Sequence, residues 1–182
     1  MTAPSLTLLI GGVRAGKSAR ALSLANTRRA NGTMLFVATA QAFDDEMRAR
    51  IDAHRRERSE EWETLESPID IAQDIERRRS REPLVSVIVV DCLTLWVSNI
   101  LLALTEDADA EAVVAQRTSE LLASLTGMPS IVVTNEVGLG VVPATALGRR
   151  YRDALGRANQ LVASAADEVT LMIAGLEMRV KG

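Results

Sequence analysis

The chain has 182 residues, 47% of them hydrophobic, with a formal net charge of -3, one histidine and one cysteine. Such a length and apolar content suit one domain with a sizeable core, and the acidic balance argues against a general nucleic-acid binder, which needs clustered positive charge on one face. A lone thiol, Cys92, excludes an internal disulfide framework and fits a reducing cytosol.

The first element is the short apolar strand Leu6 to Ile10, and the run from Lys17 to Ala30 reads as a helix rich in Ala and Leu. Between them stands Gly11-Gly12-Val13-Arg14-Ala15-Gly16-Lys17-Ser18, a G-x-x-x-x-G-K-[ST] phosphate-binding loop. Backbone N–H groups of such a turn converge on one concavity, and the following helix adds the positive end of its dipole. A nucleoside triphosphate fits there, with Lys17 reaching the β and γ phosphates and the Ser18 hydroxyl on a bridging Mg²⁺. Only Met1 to Pro4 precede the first strand, and no apolar run reaches the roughly 18 residues of a membrane span, so the chain reads as soluble and cytoplasmic.

Further apolar, β-branched runs recur at Thr33 to Ala38, Val85 to Val90, Ser130 to Thr134 and Glu168 to Ala174. Helical stretches separate them: Asp44 to Arg58, Asp70 to Arg79, the apolar Leu93 to Leu104, Glu111 to Leu125, and Thr145 to Ala165. Strands without polar alternation are covered on both faces, which predicts an α/β fold with a mostly parallel sheet and ligands at the carboxyl ends of the strands. Glu177 to Lys181, after Gly175, reads as a final short strand in an antiparallel hairpin. There is no internal repeat and no low-complexity segment.

Asp91 closes the run Leu84 to Val90, the strand-then-acid arrangement of a Walker B element, where a carboxylate can hold Mg²⁺ opposite the phosphate loop. An acid capping the next helix gives the same pattern. His54 lies among Arg50, Arg55, Arg56, Glu57 and Arg58. Surrounding guanidinium groups favour the neutral, nucleophilic imidazole and offer forks to phosphate oxygens. Such an imidazole can attack an α-phosphorus and carry a nucleotidyl group; the competing reading is a surface histidine on a salt-bridged helix. Thr134-Asn135-Glu136-Val137-Gly138-Leu139-Gly140 places polar groups and two glycines at the ligand-binding edge, either as a substrate loop or as an ordinary turn. Trp62 reads as a core or interface anchor rather than a base-stacking platform, and Glu66 is ambiguous. Gly156, Arg157 and Asn159 sit in the last long helix without a reason from propensity, and Gly156 hints at close packing there.

Taken together these elements resemble the bifunctional adenosylcobinamide kinase / adenosylcobinamide-phosphate guanylyltransferase family. The resemblance runs from the phosphate loop through Val37 to Gln41, Asp44 to His54, Trp62, Val90 to Thr94 with Asn99, and Thr134 to Pro143, to Tyr151-Arg152-Asp153 and Gly156 to Gln160. It implies phosphorylation of adenosylcobinamide by ATP or GTP, followed by transfer of GMP from GTP through a guanylylated histidine, which falls on His54. It also implies nucleotide contacts from the loop, from Ala38, Thr39 and Ala40, from Arg55, Arg56, Glu57 and Arg58, and from Glu66 and Asp91. A RecA-like sheet with a small antiparallel addition and a homotrimeric assembly complete the expectation. Ala15 stands where the family usually has serine, Ser59 where proline often follows, and Ala53 where some relatives carry a second histidine. A plain small-molecule kinase and a nucleotide-gated regulatory protein are the alternatives, the latter without an Asn-Lys-x-Asp element to read guanine.

Overall fold

The computed structural model describes residues 5–42, 45–56, 58–105 and 107–182, without the side chains of residues 46, 50, 53 and 54. In chain order the strands are β1 (Leu6–Gly11), β2 (Thr33–Ala38), β3 (Trp62–Glu66), β4 (Val85–Asp91), β5 (Ser130–Asn135), β6 (Glu168–Ile173) and β7 (Leu176–Lys181). The helices are α1 (Lys17–Arg28), α2 (Asp45–Arg56), α3 (Ile71–Arg79), α4 (Leu93–Ala103), α5 (Ala110–Leu125) and α6 (Ala146–Ala165). One seven-stranded sheet runs in the order β3-β2-β4-β5-β1-β6-β7. Every pairing is parallel except β6 with β7, so the expected parallel sheet and terminal antiparallel hairpin are both present.

Consecutive side chains of a strand point to opposite faces, and here both faces are covered. On one face Leu8, Leu35, Val37, Ile88, Val90 and Val132 join residues of α3, α4, α5 and α6 in the larger core. On the other, Leu9, Phe36, Val87, Val89 and Val133 pack against Ala21 and Ala25 of α1. Those two alanines let the helix following the phosphate loop lie close on the sheet. Helix α4 is buried, as its composition implies, and uses its polar atoms as clamps: Trp96 donates from its indole nitrogen to the Ile69 carbonyl at 2.8 Å. Asn99 donates to the carbonyls of Thr39 and Pro68 at 2.8 and 3.0 Å, fixing the segments that leave β2 and β3.

Strand β3 is a correction to the sequence reading, which took Trp62 as an isolated anchor. It is an edge strand whose first four residues are half-buried and whose last is exposed, so no apolar run announces it. Trp62 opens it and meets Phe36 edge-on, ring centroids 6.1 Å apart. Among the described residues no helix is long and apolar enough to cross a membrane.

Candidate active site

The carboxyl edge of the sheet gathers the loop after β1, the ends of β4 and β5, and the segment after β2. The loop turns through Arg14 at φ 58° and Gly16 at φ 90°, left-handed values that glycine tolerates and arginine adopts only when held there. Ala15 N–H donates to the Gly12 carbonyl at 3.3 Å, and Gly175 N–H to the Ala15 carbonyl at 3.2 Å, so the loop braces against the β6–β7 turn. Ala15 is buried, so the missing hydroxyl removes no exposed donor. Gly16 caps α1 without a side-chain hydrogen bond, and the first turn of α1 has no acidic residue. Its N-terminal amides therefore remain available to an anion.

Lys17 is 8% exposed and donates its ammonium to the carbonyls of Gly11 at 3.0 Å and Gly12 at 2.6 Å. Burial holds its pKa below the ordinary lysine value, opposed by the neighbouring Cys92 and Asp91. The side chain is thus stored along the inside of the loop beside the end of β4, within reach of a phosphate seated on the amides. Ser18 and Asp91 supply hard oxygen donors of the kind Mg²⁺ takes together with phosphate oxygens and water. Among the described residues no group of three or more His, Cys, Asp or Glu could hold a metal alone. A cation at this edge would be shared with a nucleotide.

Ala38 pairs with both Asp91 of β4 and Glu66 of β3. Thr39 is fully buried: its hydroxyl donates to the Cys92 carbonyl at 2.8 Å and accepts from Cys92 N–H at 2.8 Å. Its side chain therefore shapes the turn after Asp91, leaving its half-buried neighbour Ala40 nearer the surface. The Cys92 residue is half-buried rather than fully enclosed, and desolvation pushes its thiol up to about 11. A thiol protonated at neutral pH is a poor nucleophile.

Helix α2 carries His54 in the crossover from β2 to β3, while the His54 and Arg50 side chains and all of Asp44 and Glu57 lie outside the described residues. The arginines around it are partly engaged within the chain. Arg55 pairs with Glu66, and with Asp52 at 3.9 Å. Arg58 lies over the Phe36 ring at 4.0 Å and donates to the Thr64 hydroxyl at 3.3 Å. Arg56 is exposed. These contacts seat the end of α2 against β2 and β3. The phosphate loop leaves the sheet from β1, three strand spacings or about 14 Å away. The structure thus brings loop, Lys17 and Asp91 together and sets α2 beside Ala38 and Glu66.

The end of β5 is held by residues whose purpose the sequence left open. Thr134 donates its hydroxyl to Asn159 Oδ1 at 2.7 Å, and Asn159 Nδ2 donates to the Asn135 carbonyl at 3.1 Å. Asn135 N–H donates to Thr94 Oγ1 at 2.9 Å, and Glu136 N–H to the Gly11 carbonyl at 3.3 Å. A polar residue at a buried position of an amphipathic helix was the available signal for Asn159. Gly156 differs from its expectation: a Cβ there would meet nothing within 4 Å, so close packing within the chain is not its reason. Replacing Asn159 by Ala leaves the Thr134 hydroxyl and the Asn135 carbonyl without these partners, and stability should fall by about 1–3 kcal/mol in urea unfolding.

Among solved structures the chain is similar to a phosphate-loop ATPase domain (TM-score 0.52, 11% identity, covering 91% of this chain and 68% of that one). It is also similar to the flagellar accessory protein FlaH of Methanocaldococcus jannaschii (TM-score 0.53, 12% identity, 97% and 77%). At these identities the likeness shows the fold, that of P-loop NTPases. Curated relatives extend along the whole chain. A bifunctional adenosylcobalamin biosynthesis protein CobP of Pseudomonas aeruginosa is 41% identical over 177 residues, 96% of each chain. The bifunctional adenosylcobalamin biosynthesis protein CobU of Escherichia coli is 35% identical, covering 97% of this chain and 99% of its own. Its namesake in Salmonella typhimurium is 34% identical over the same shares. With the family model matching residues 7–180, from the first strand to the last, the chain belongs to the cobinamide kinase / cobinamide phosphate guanyltransferase family of enzymes.

Proposed function

We propose that this chain carries out both reactions of the family: phosphorylation of the hydroxyl on the aminopropanol arm of adenosylcobinamide by ATP or GTP, then transfer of GMP from GTP to that phosphate, releasing pyrophosphate. The observation that carries the reading is the intact phosphate cradle, with an uncapped α1 and a buried Lys17 lying beside Asp91, in a chain that matches the family along its length.

In the first reaction the loop amides and Lys17 stabilise charge on the transferring phosphoryl group, a contribution made before the reaction begins because the donors are already fixed. Ser18 and Asp91 would hold Mg²⁺ with the phosphates; when bound it supplies neutralisation of the phosphate oxygens. In the second, His54 attacks the α-phosphorus of GTP, pyrophosphate leaves, and the phosphate of the corrinoid then takes GMP from the imidazole. The nucleotide lies along the carboxyl edge toward Ala38, Thr39, Ala40 and Glu66, which directs its α-phosphorus to the α2 side. Arg55, Arg56, Glu57 and Arg58 contribute to the same binding region. The whole chain acts as one cytoplasmic domain, assembled as a homotrimer.

Purified protein given adenosylcobinamide, Mg²⁺ and GTP should form adenosylcobinamide-GDP and pyrophosphate in equal amounts, as resolved by chromatography. Formation of the phosphate alone would leave only the kinase half, and hydrolysis of GTP without any corrinoid product would favour a nucleotide-gated regulator.

A further inference from the structure

We propose that Glu136 is a catalytic residue of the kinase step, the carboxylate that receives the acceptor hydroxyl and takes its proton; the proposal rests on the kinase reading above. Its place in the sheet is the first reason. Strand β5 lies between β4, which ends at Asp91, and β1, which runs into the phosphate loop. Asn135 pairs with Gly11, and Glu136 is the next residue. Its N–H donates to the Gly11 carbonyl, the same oxygen that receives the Lys17 ammonium. The backbone of Glu136 is therefore one hydrogen bond from the phosphate cradle, on the side facing the end of β4.

The side chain is fixed by the main chain and otherwise uncommitted. Gly138 N–H donates to Glu136 Oε1 at 2.5 Å. A Cβ on Gly138 would sit 2.9 Å from that oxygen, so a glycine there lets the carboxylate fold back onto the turn. Among the described residues Oε2 has no partner and the carboxylate no ion pair. The other acids of this edge are differently placed: Glu66 pairs with Arg55, and Asp91 adjoins Lys17. Glu136 is thus the carboxylate of this edge that is oriented, half-exposed and not neutralised by a cation.

The chemistry needs such a group. Phosphoryl transfer onto an alcohol calls for a positioned oxygen acceptor that orients the nucleophile. The acceptor oxygen forms a bond to the γ-phosphorus, the bond from that phosphorus to the β–γ bridging oxygen breaks, and the nucleoside diphosphate leaves with the electron pair. The hydroxyl proton passes to Glu136 and from there to water. Glu136 takes no part in the guanylyl half, where the attacking group is already a phosphate.

Glu136→Gln separates this role from a structural one, because an amide oxygen still accepts the Gly138 N–H but cannot take the proton. In the full chain we expect kcat for adenosylcobinamide phosphorylation to fall about 100-fold or more, with the KM for the nucleotide and covalent labelling from α-labelled GTP within about twofold of wild type. Gly138→Ala, which displaces the carboxylate and leaves it ionisable, should lower the same kcat about 10-fold or more. Supplying ready-made adenosylcobinamide phosphate should restore GDP-product formation in both variants. A Gln variant with wild-type kcat overturns the proposal, and so does one that loses nucleotide affinity and labelling together with kinase turnover. A wild-type protein that phosphorylates no adenosylcobinamide overturns the kinase reading, and this proposal with it.

Discussion

Lys17→Ala should lower kcat for adenosylcobinamide phosphorylation about 100- to 1000-fold, the loss typical when one preorganised donor to a developing charge is removed. The size of the effect follows from how Lys17 is stored. Its ammonium is almost fully buried and held by the carbonyls of Gly11 and Gly12, so a phosphate arriving on the loop meets a desolvated charge already in place. Desolvation both strengthens its field and lowers its pKa, while Asp91 and Cys92 keep it protonated at neutral pH. Lys17→Arg should recover little, because a planar fork cannot follow the single-file path that the stem takes under the loop. Steady-state kinetics with γ-labelled ATP measures both variants. Turnover within about threefold of wild type for Lys17→Ala would mean that the loop amides alone carry the phosphoryl charge.

The second large effect is on folding. Gly11→Ala should destabilise the chain by about 2–4 kcal/mol, seen as a shifted urea midpoint. Gly11 is the last residue of β1, with φ at 154°, and pairs with Met172 of β6. A methyl group there would overlap the Met172 carbonyl, which belongs to a neighbouring strand and cannot turn aside like a side chain. The β1–β6 ladder would have to open at the point where the phosphate loop begins, so nucleotide affinity should fall with stability. Gly12→Ala is the internal comparison. It is exposed and its Cβ would meet nothing within 4 Å, so its stability should stay within about 0.5 kcal/mol of wild type. Equal effects at the two positions would show that backbone freedom, rather than the contact with Met172, makes Gly11 necessary.

Much of this architecture follows from the order of residues alone. Strands buried on both faces, such as Val85 to Val90, show as unbroken apolar runs, and the helices between them end within one or two residues of their expected bounds. The phosphate loop is readable because its chemistry depends on backbone amides and glycines at fixed spacing. Strand β3 escapes such reading because an edge strand buries little, and its Glu, Thr and Glu residues resemble a surface connection. The clamp of Asn159 on Thr134 and Asn135 joins residues 24 and 25 positions apart, and no local pattern predicts which buried polar atoms will meet. Glu136 and Gly138 are adjacent enough for a motif, yet the closure between them depends on how the turn after β5 is folded. The arginines beside His54 illustrate the opposite case: their charge suggested phosphate binding, and the fold shows Arg55 and Arg58 tied to Glu66, Phe36 and Thr64.

The claim that joins the two activities is that the imidazole of His54 bonds covalently to the α-phosphorus of GTP. Protein incubated with GTP labelled at that phosphorus and denatured in alkali should retain about one label per chain at saturation, and His54→Ala, still folded and still binding nucleotide, should retain none. Wild-type protein without retained label, or a His54→Ala variant labelled as fully as wild type, would contradict it.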